Sequence, residues 1–379
     1  MASSIRQSGR YDGCRVLALS CGQGGGLANS SGAIVGSTVP GLEPASRTPR
    51  EWILARIDLL LRLGLVLIIV VEAIFFTLRT IPSGSISDIG SSTFISGSNL
   101  QNVGRQMAVN GVLAVGETFV IITAGIDLSV GSLVAVAGMI AAVSLADGWG
   151  IFPVVALVMG LSLLVGIING LLVGVAKIPP FIATLGMLGV LRGACYLINP
   201  QSVSLSTPAG LNFSNWVIDS FHGLPTIFLA LLIIALIGGV FLRFTRRGRY
   251  IYALGSNPES ARRVGINVLA TLLTVYVISA LLAGIGGLLL TGRLGGANPT
   301  NAVGYELDAI APVVLGGGSL FGARGSIFGT MLGVVLVNVL SNGLDLINAD
   351  PHVQQIVEGG LLIAIVWVDQ WRKGRASNG

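Results

Sequence analysis

Lysine is nearly absent from this chain, and its scarcity excludes one class of function. The 379 residues include two lysines, Lys177 and Lys373, and neither precedes a serine or a threonine. A P-loop needs Lys followed by Ser or Thr after a glycine-rich turn, so the chain carries no such nucleotide loop. We therefore expect no bound cofactor here, and any ATP-Mg used on its behalf would have to be hydrolysed by a separate partner chain.

Histidine and cysteine are also too few for metal or redox chemistry. The two histidines, His222 and His352, stand alone without H-E-x-x-H spacing, so no metal ligand set is expected. The three cysteines form no C-x-x-C pair, and their odd count argues against a disulfide framework. Because no cluster of His, Asp or Ser marks a membrane-embedded enzyme either, we expect no catalytic residues.

Charged residues are also scarce, and apolar residues are abundant. Only 10% of the residues are charged, whereas 53% are apolar. This balance is typical of an all-α polytopic membrane protein, whose partner is the lipid bilayer. The net charge of +5 would suggest nucleic acid for a soluble protein, but here it indicates basic cytoplasmic loops, and no nucleic acid partner is expected.

About ten transmembrane helices are predicted from the apolar runs, several of which approach the ~20 residues that cross a bilayer core. The runs cover residues 59–78, 107–124, 130–146, 151–176, 181–198, 224–242, 269–290, 306–320, 327–347 and 352–368. An even number of spans places both termini on one side. Basic residues are concentrated on the side of the termini, while the opposite loops hold Arg79, Arg105 and Arg293. We therefore expect both termini to be cytoplasmic.

Residues 1–50 are rich in Gly, Ser and Arg without a sustained period. This composition predicts a disordered cytoplasmic tail, with a translation start further downstream as the alternative. Residues 51–379 are then the transmembrane domain. Glycines within the spans, at Gly160, Gly166 and Gly170, are expected to allow close helix packing.

A basic segment, residues 243–268, interrupts the apolar runs with six arginines and one acid, Glu259. Within it, Ser256 or Asn257 can cap a short helix that starts at Pro258 and stops at Gly265. By the predicted orientation this segment is cytoplasmic. A small charged helix held between spans indicates a docking site for another protein.

Two pairs of consecutive apolar spans look irregular. TAGIDLSVGS joins the second span to the third with almost no linker, and the short span at 306–320 is followed by LGGGSLFGARGS. Both places put Gly-Ser at the start of the following helix. Short or broken helices at matching positions often line a transport site. In the first turn, Asp127 and Ser129 are expected to cap the next helix.

Polar residues inside the spans are candidates for a substrate pathway or for helix contacts. Glu117 lies midway along its span, where a charge costs on the order of 2.5–3.5 kcal/mol, so it needs a partner or a water-filled path. For asparagines in a membrane helix, interhelical hydrogen bonding is the more common role. The candidate pathway set is Asn110, Glu117, Thr118, Asn338 and Asn342.

Several consecutive motifs resemble the ribose-type family of ABC importer permeases. They are GIDLSVGS, PPFIATLGMLGVLRG, GRYIYALGSNPESARRVGIN, GYELDAIAPVVLGGGSLFGARGS and SNGLDL, in the family's order. The resemblance implies the ABC permease fold working as a dimer in the bacterial inner membrane. It also implies a cytoplasmic ABC ATPase, an extracytoplasmic sugar-binding protein and a second permease copy as partners.

The same resemblance assigns ATPase coupling to the basic segment, which partly fits the family's E-A-A-x-x-x-G pattern but lacks the usual Leu-Pro. The coupling residues are Gly255, Asn257, Pro258, Glu259, Arg262, Arg263 and Gly265. The expected function is import of a monosaccharide or related polyol. The alternatives are an ABC permease for branched-chain amino acids or nucleosides, and a secondary transporter or channel that works without an ATPase.

Overall fold

The computed structural model describes residues 49–82, 85–350, 352–360, 363 and 367, and it is helical almost throughout. The predicted tail at 1–50, apart from its last two residues, lies outside this part of the chain. The long helices are α1 (Pro49–Arg79), α2 (Gly97–Ile122), α3 (Val130–Ala146), α4 (Ile151–Gly174), α5 (Pro180–Ile198), α7 (Thr226–Phe244), α10 (Val268–Leu294) and α12 (Ile327–Leu346). The all-α polytopic prediction is confirmed.

Shorter elements join these helices. They are a 3₁₀ helix (Ile86–Ser91), α6 (Pro208–Ile218), α8 (Arg246–Ser256), α9 (Pro258–Arg263) and α11 (Tyr305–Leu315). Strand β1 (Val203–Ser204) pairs antiparallel with β4 (Gly296–Ala297), and β2 (Ser220–Phe221) pairs with β3 (Leu224–Pro225). The sequence did not predict α6, α8 or the 3₁₀ helix.

Five of the described helices are long and apolar enough to cross a membrane: α4, α5, α7, α10 and α12. Helix α3, with 17 residues, is slightly shorter. Each of the first nine predicted spans coincides with one helix, and the tenth is helical at 352–360, 363 and 367, the positions where it is described.

Helix α11 corrects the prediction of an eighth span. It has 11 residues, which rise about 16 Å at 1.5 Å per residue, roughly half of a bilayer core. The chain after Leu315 leaves the helix and returns through a loop at 316–326 before α12 starts. The short helix with Pro312 in its interior therefore cannot span the membrane alone.

The centre of the bundle is α2, which is buried on all sides from Met107 to Ile122. A helix that is apolar all round belongs in a core. Helix α10 packs on α2, α3 and α4, and α2 also contacts α7, α11 and α12. Gly116 allows α2 to approach α10 closely, because a Cβ there would lie 3.2 Å from the Cα of Ser279.

Glycines also bring α4 against α10. A Cβ at Gly166 would lie 2.7 Å from the Cα of Val277, and one at Gly170 would lie 2.8 Å from a methyl group of Leu273. The packing prediction is confirmed for these two residues. Gly160 makes no such contact within the described chain, because a Cβ at this position would meet no atom within 4 Å and the residue is exposed.

Candidate functional site

The basic segment forms two consecutive helices, α8 and α9, separated by Asn257. The Asn257 side chain accepts a hydrogen bond from the Ser260 N–H at 3.0 Å, with Pro258 at the first helical position. Gly265 follows the helix with φ +84°, a left-handed conformation that glycine adopts without strain,. The predicted cap, start and stop of this helix are confirmed.

The charged side chains of α9 extend into open surroundings. Glu259 and Arg263 form an ion pair at 3.8 Å, with side chains 84% and 81% exposed, and Arg262 is exposed beside them. Exposed pairs of this kind add little stability. Ala261, which is buried, attaches the helix to the rest of the chain. The arrangement presents charge for contact with another molecule while its apolar side is anchored.

Gly255 anchors the end of α8 to both irregular regions. A Cβ at this position would collide with the carbonyl oxygen of Ile122, the last residue of α2. The same carbonyl accepts a 2.9 Å hydrogen bond from the N–H of Ala323, in the loop before α12. We call this meeting of α8, the end of α2 and the 316–326 loop the Gly255 junction.

Tyr252 adds a second contact between α8 and the same loop. Its hydroxyl donates a 2.8 Å hydrogen bond to the carbonyl of Gly325. Burial raises the pKa of Tyr252 above its usual value, so the hydroxyl remains a neutral donor at physiological pH. The two irregular stretches are thus held to one helix of the basic segment.

Two buried carboxylates lie close together, Glu117 on α2 and Asp127 in the turn between α2 and α3. Oε1 of Glu117 accepts the N–H of Asp127 at 3.0 Å, and Oδ1 of Asp127 accepts the N–H and hydroxyl of Ser129 at 3.0 and 2.6 Å. Asp127 therefore holds the turn before α3, but it does not cap the helix as predicted, because the N–H that it accepts belongs to Ser129, ahead of the first helical residue. Ser129 makes no side-chain capping bond to α3, so that part of the prediction is wrong, because its hydroxyl donates to Asp127 instead.

Helices α4 and α10 complete this buried group. Asn169 donates to the Ser129 hydroxyl at 2.9 Å, and Ser279 donates to Oδ2 of Asp127 at 3.1 Å. Oε2 of Glu117, Oδ1 of Asn169 and the Tyr276 hydroxyl have no hydrogen-bond partner among the described residues. Neither carboxylate forms an ion pair with a described basic side chain.

Three polar pairs join α2 to α12 along one seam. Asn99 and Asn342 exchange two amide hydrogen bonds of 2.9 and 3.0 Å. Further along, Asn110 donates to Asn338 at 3.2 Å, and the hydroxyls of Thr118 and Thr330 lie 2.8 Å apart. Four of the five predicted pathway residues therefore hydrogen-bond between helices of one chain, while Glu117 contacts the α2–α3 turn.

Sequence reasoning did not identify Tyr276, Ser279 or Thr330 as members of these polar groups. Each lies in a mostly apolar helix, and the polar residues near it on α2 or in the α2–α3 turn lie far away in the chain. Only the packing of α10 and α12 on α2 brings the groups together. In the part of the chain that is described, no three His, Cys, Asp or Glu side chains are placed to hold a metal ion.

Comparison with known proteins gives consistent relatives. Residues 99–366 match the family described as branched-chain amino acid transport system / permease component. The chain is 40% identical to a ribose import permease protein of Escherichia coli (strain K12) over 281 residues, covering 74% of this chain and 88% of that protein. No solved structure matches.

Two further relatives are named for other sugars. A xylose transport system permease protein of Haemophilus influenzae is 33% identical, covering 74% of this chain and 91% of that protein. A fructose import permease protein of Rhizobium meliloti is 35% identical, covering 73% and 79%. The similarity thus extends over most of each protein.

Proposed function

Because this chain belongs to the branched-chain amino acid transport system / permease component family, we propose that it is the membrane permease subunit of an ATP-driven importer for a monosaccharide. The observation that carries the proposal is its similarity to ribose, xylose and fructose permeases at 33–40% identity. It is a multi-pass membrane protein and a transport component, not an enzyme. The bacterial inner membrane, with both termini cytoplasmic, is the proposed location.

A neutral sugar suits the scarcity of buried charge in this bundle. Sugar hydroxyls need polar groups rather than fixed ions, and among the buried side chains described only Glu117 and Asp127 carry a carboxylate or a basic group. A secondary transporter would need several ion-coupling groups along its spans. The buried composition therefore supports the ATP-driven importer over that alternative.

The substrate pathway stays a prediction. Asn110, Thr118, Asn338 and Asn342 hydrogen-bond to polar partners in the present conformation, so each would have to exchange such a bond for a sugar hydroxyl. Helix interfaces that shift during transport permit that exchange. Their contacts favour a role in holding α2 against α12.

The second permease copy is proposed to contact α5. Its glycines Gly186, Gly189 and Gly193 have no atom within 4 Å of the position a Cβ would take, in contrast to Gly166 and Gly170 of α4. Small residues on an open helix face allow two membrane helices to approach closely. A Gly189→Cys variant in a cysteine-free background should form a disulfide between copies, whereas Gly160→Cys should not, because Gly160 is a single open glycine on a helix whose other glycines are packed.

Coupling to the ATPase is proposed to run through α9. Glu259, Arg262 and Arg263 present both signs of charge on an anchored helix, and the ATPase would receive this helix in a groove of complementary charge. Closure of two ATPases would then move the permease halves as rigid bodies. The partners implied are this ATPase and an extracytoplasmic sugar-binding protein.

The experiment is uptake of labelled sugars by the reconstituted chain with its ATPase and binding protein. Transport should need all three components and ATP. Replacing Glu259, Arg262 and Arg263 together by Ala should abolish sugar-stimulated ATP hydrolysis and spare membrane insertion. As a matched control for helix stability, Glu259→Arg with Arg263→Glu keeps an ion pair across one turn and the same net charge, and it should also lose coupling.

Uptake that proceeds without the ATPase would overturn the proposed function. Sugar-stimulated hydrolysis at the wild-type rate in both variants would overturn only the coupling assignment. Saturable uptake of leucine, with no uptake of any sugar, would instead support the alternative of an amino acid permease.

A further inference from the structure

A groove at the basic end of α7 has no role in the proposed transport cycle. It lies between α7, α8 and the start of α12, and its volume is about 760 Å³. That volume is within the 300–1,000 Å³ typical of ligand pockets. Most of the lining is apolar, and Leu236, Phe244 and Phe328 are 68%, 68% and 64% exposed.

Both charged residues that line the groove are arginines. Arg243 ends α7, Arg249 lies on α8, and no acidic residue contributes to the lining. Both arginines are exposed. Helix α12 begins in the same wall with Ser326, Ile327 and Phe328, and the first turn of a helix carries partial positive charge. One end of the groove is therefore positive, and most of the remainder is apolar.

We propose that this groove binds an anionic phospholipid, with its phosphate on Arg243 and Arg249 and an acyl chain along the exposed face of α7. Helix α7 is one of the membrane-crossing helices, so its apolar wall meets lipid tails where the arginines meet headgroups. Basic pockets between spans select anionic headgroups in this way. With both termini in the cytoplasm, as proposed above, this lipid lies in the cytoplasmic leaflet.

Gly239 gives a way to test the apolar part of the groove separately. It lines the groove, and the nearest atom to a Cβ there would be the Cβ of Ile327 at 3.9 Å. A leucine side chain at this position would extend into the groove without displacing backbone. Gly160 on α4 is equally open but lies outside the groove, so Gly160→Leu is its matched control.

The experiment measures binding of phosphatidylglycerol and phosphatidylcholine to the purified full-length chain by native mass spectrometry, with thermal unfolding as a second readout. Wild type should retain phosphatidylglycerol several-fold better than phosphatidylcholine. Arg243→Gln with Arg249→Gln should remove that preference, and Gly239→Leu should weaken retention of phosphatidylglycerol. Arg246→Gln with Arg247→Gln removes the same charge from the same segment, outside the groove lining, and should keep the preference.

Three results would overturn the lipid site: equal retention of both lipids by wild type, an equal loss in the control arginine pair, or no loss in Gly239→Leu. Stabilisation by inorganic phosphate alone to the same extent would assign the arginines to a soluble anion instead. These measurements need neither the ATPase nor sugar. Failure of the transport proposal would therefore leave them unaffected.

Discussion

Replacing Glu117 by Gln and by Met separates its hydrogen bond from its charge. Oε1 of Glu117 accepts the buried N–H of Asp127 at 3.0 Å. Glutamine retains an acceptor at that place, whereas methionine has a similar length and cannot accept a comparable bond. Leaving a buried donor without a partner costs about 1–3 kcal/mol. We expect Glu117→Met to be less stable than Glu117→Gln by that amount, because both variants remove the charge and only glutamine keeps the acceptor.

Glu117→Gln should be as stable as wild type or more stable. It removes one of two buried carboxylates that lack an ion-pair partner in the described part of the chain, and an unpaired buried charge is unfavourable. The amide oxygen of glutamine keeps the bond to the Asp127 N–H, so the variant loses the charge and retains the contact.

The assay is unfolding of the purified variants in detergent, followed by sugar uptake of the folded fraction. Equal stability of the Met and Gln variants would refute the argument from the Asp127 N–H. We expect folded Glu117→Gln to retain the wild-type sugar preference, because Glu117 contacts the α2–α3 turn. A changed sugar preference would instead support the pathway role.

Two further predictions concern the α8 anchor and the α2–α12 seam. Gly255→Ala should lower the free energy of unfolding by about 1–3 kcal/mol, since its Cβ would collide with the Ile122 carbonyl,. In the folded variant, sugar should stimulate ATP hydrolysis less than in wild type. Unchanged unfolding and unchanged stimulation would contradict this prediction. Thr330→Val should cost about 0.5–1.5 kcal/mol in thermal unfolding, because Thr118 can still donate to the Ala114 carbonyl. Thr118→Val should cost more, since the Thr330 hydroxyl then loses its bond to Thr118 and the Ala114 carbonyl loses a donor. If the stability losses of the two single variants add up to that of the double variant, the two threonines are not coupled.

Local signals explain which elements the sequence could predict. Asn257, Pro258 and Gly265 specify the start and end of α9 through one capping side chain, one fixed φ and one positive φ,. The membrane helices are equally local, because an apolar run needs only its own backbone hydrogen bonds to be stable in lipid. These features do not depend on where other helices lie.

The end of α11 and the polar pairs depend on distant residues, so sequence patterns do not indicate them. Gly333 of α12 packs on the carbonyl of Pro312. This contact fixes α11 as a short helix against α12, whereas its apolar sequence alone predicts a membrane span. Ser279 reaches Asp127 only because Gly116 admits α10 close to α2. No residue near either partner in the chain indicates the contact.

The Gly255 junction gives the proposed coupling a physical route. The carbonyl of Ile122 receives the N–H of Ala323 and lies against Gly255, so α8 cannot move without pressing on both irregular regions. Packed backbones transmit displacement because they lack free volume. A short turn leads from Ile122 to Asp127, whose side chain accepts the N–H of Ser129 directly before α3. A displacement of α9 by the ATPase would therefore move α2, α3 and α12 together, as a rigid-body switch requires.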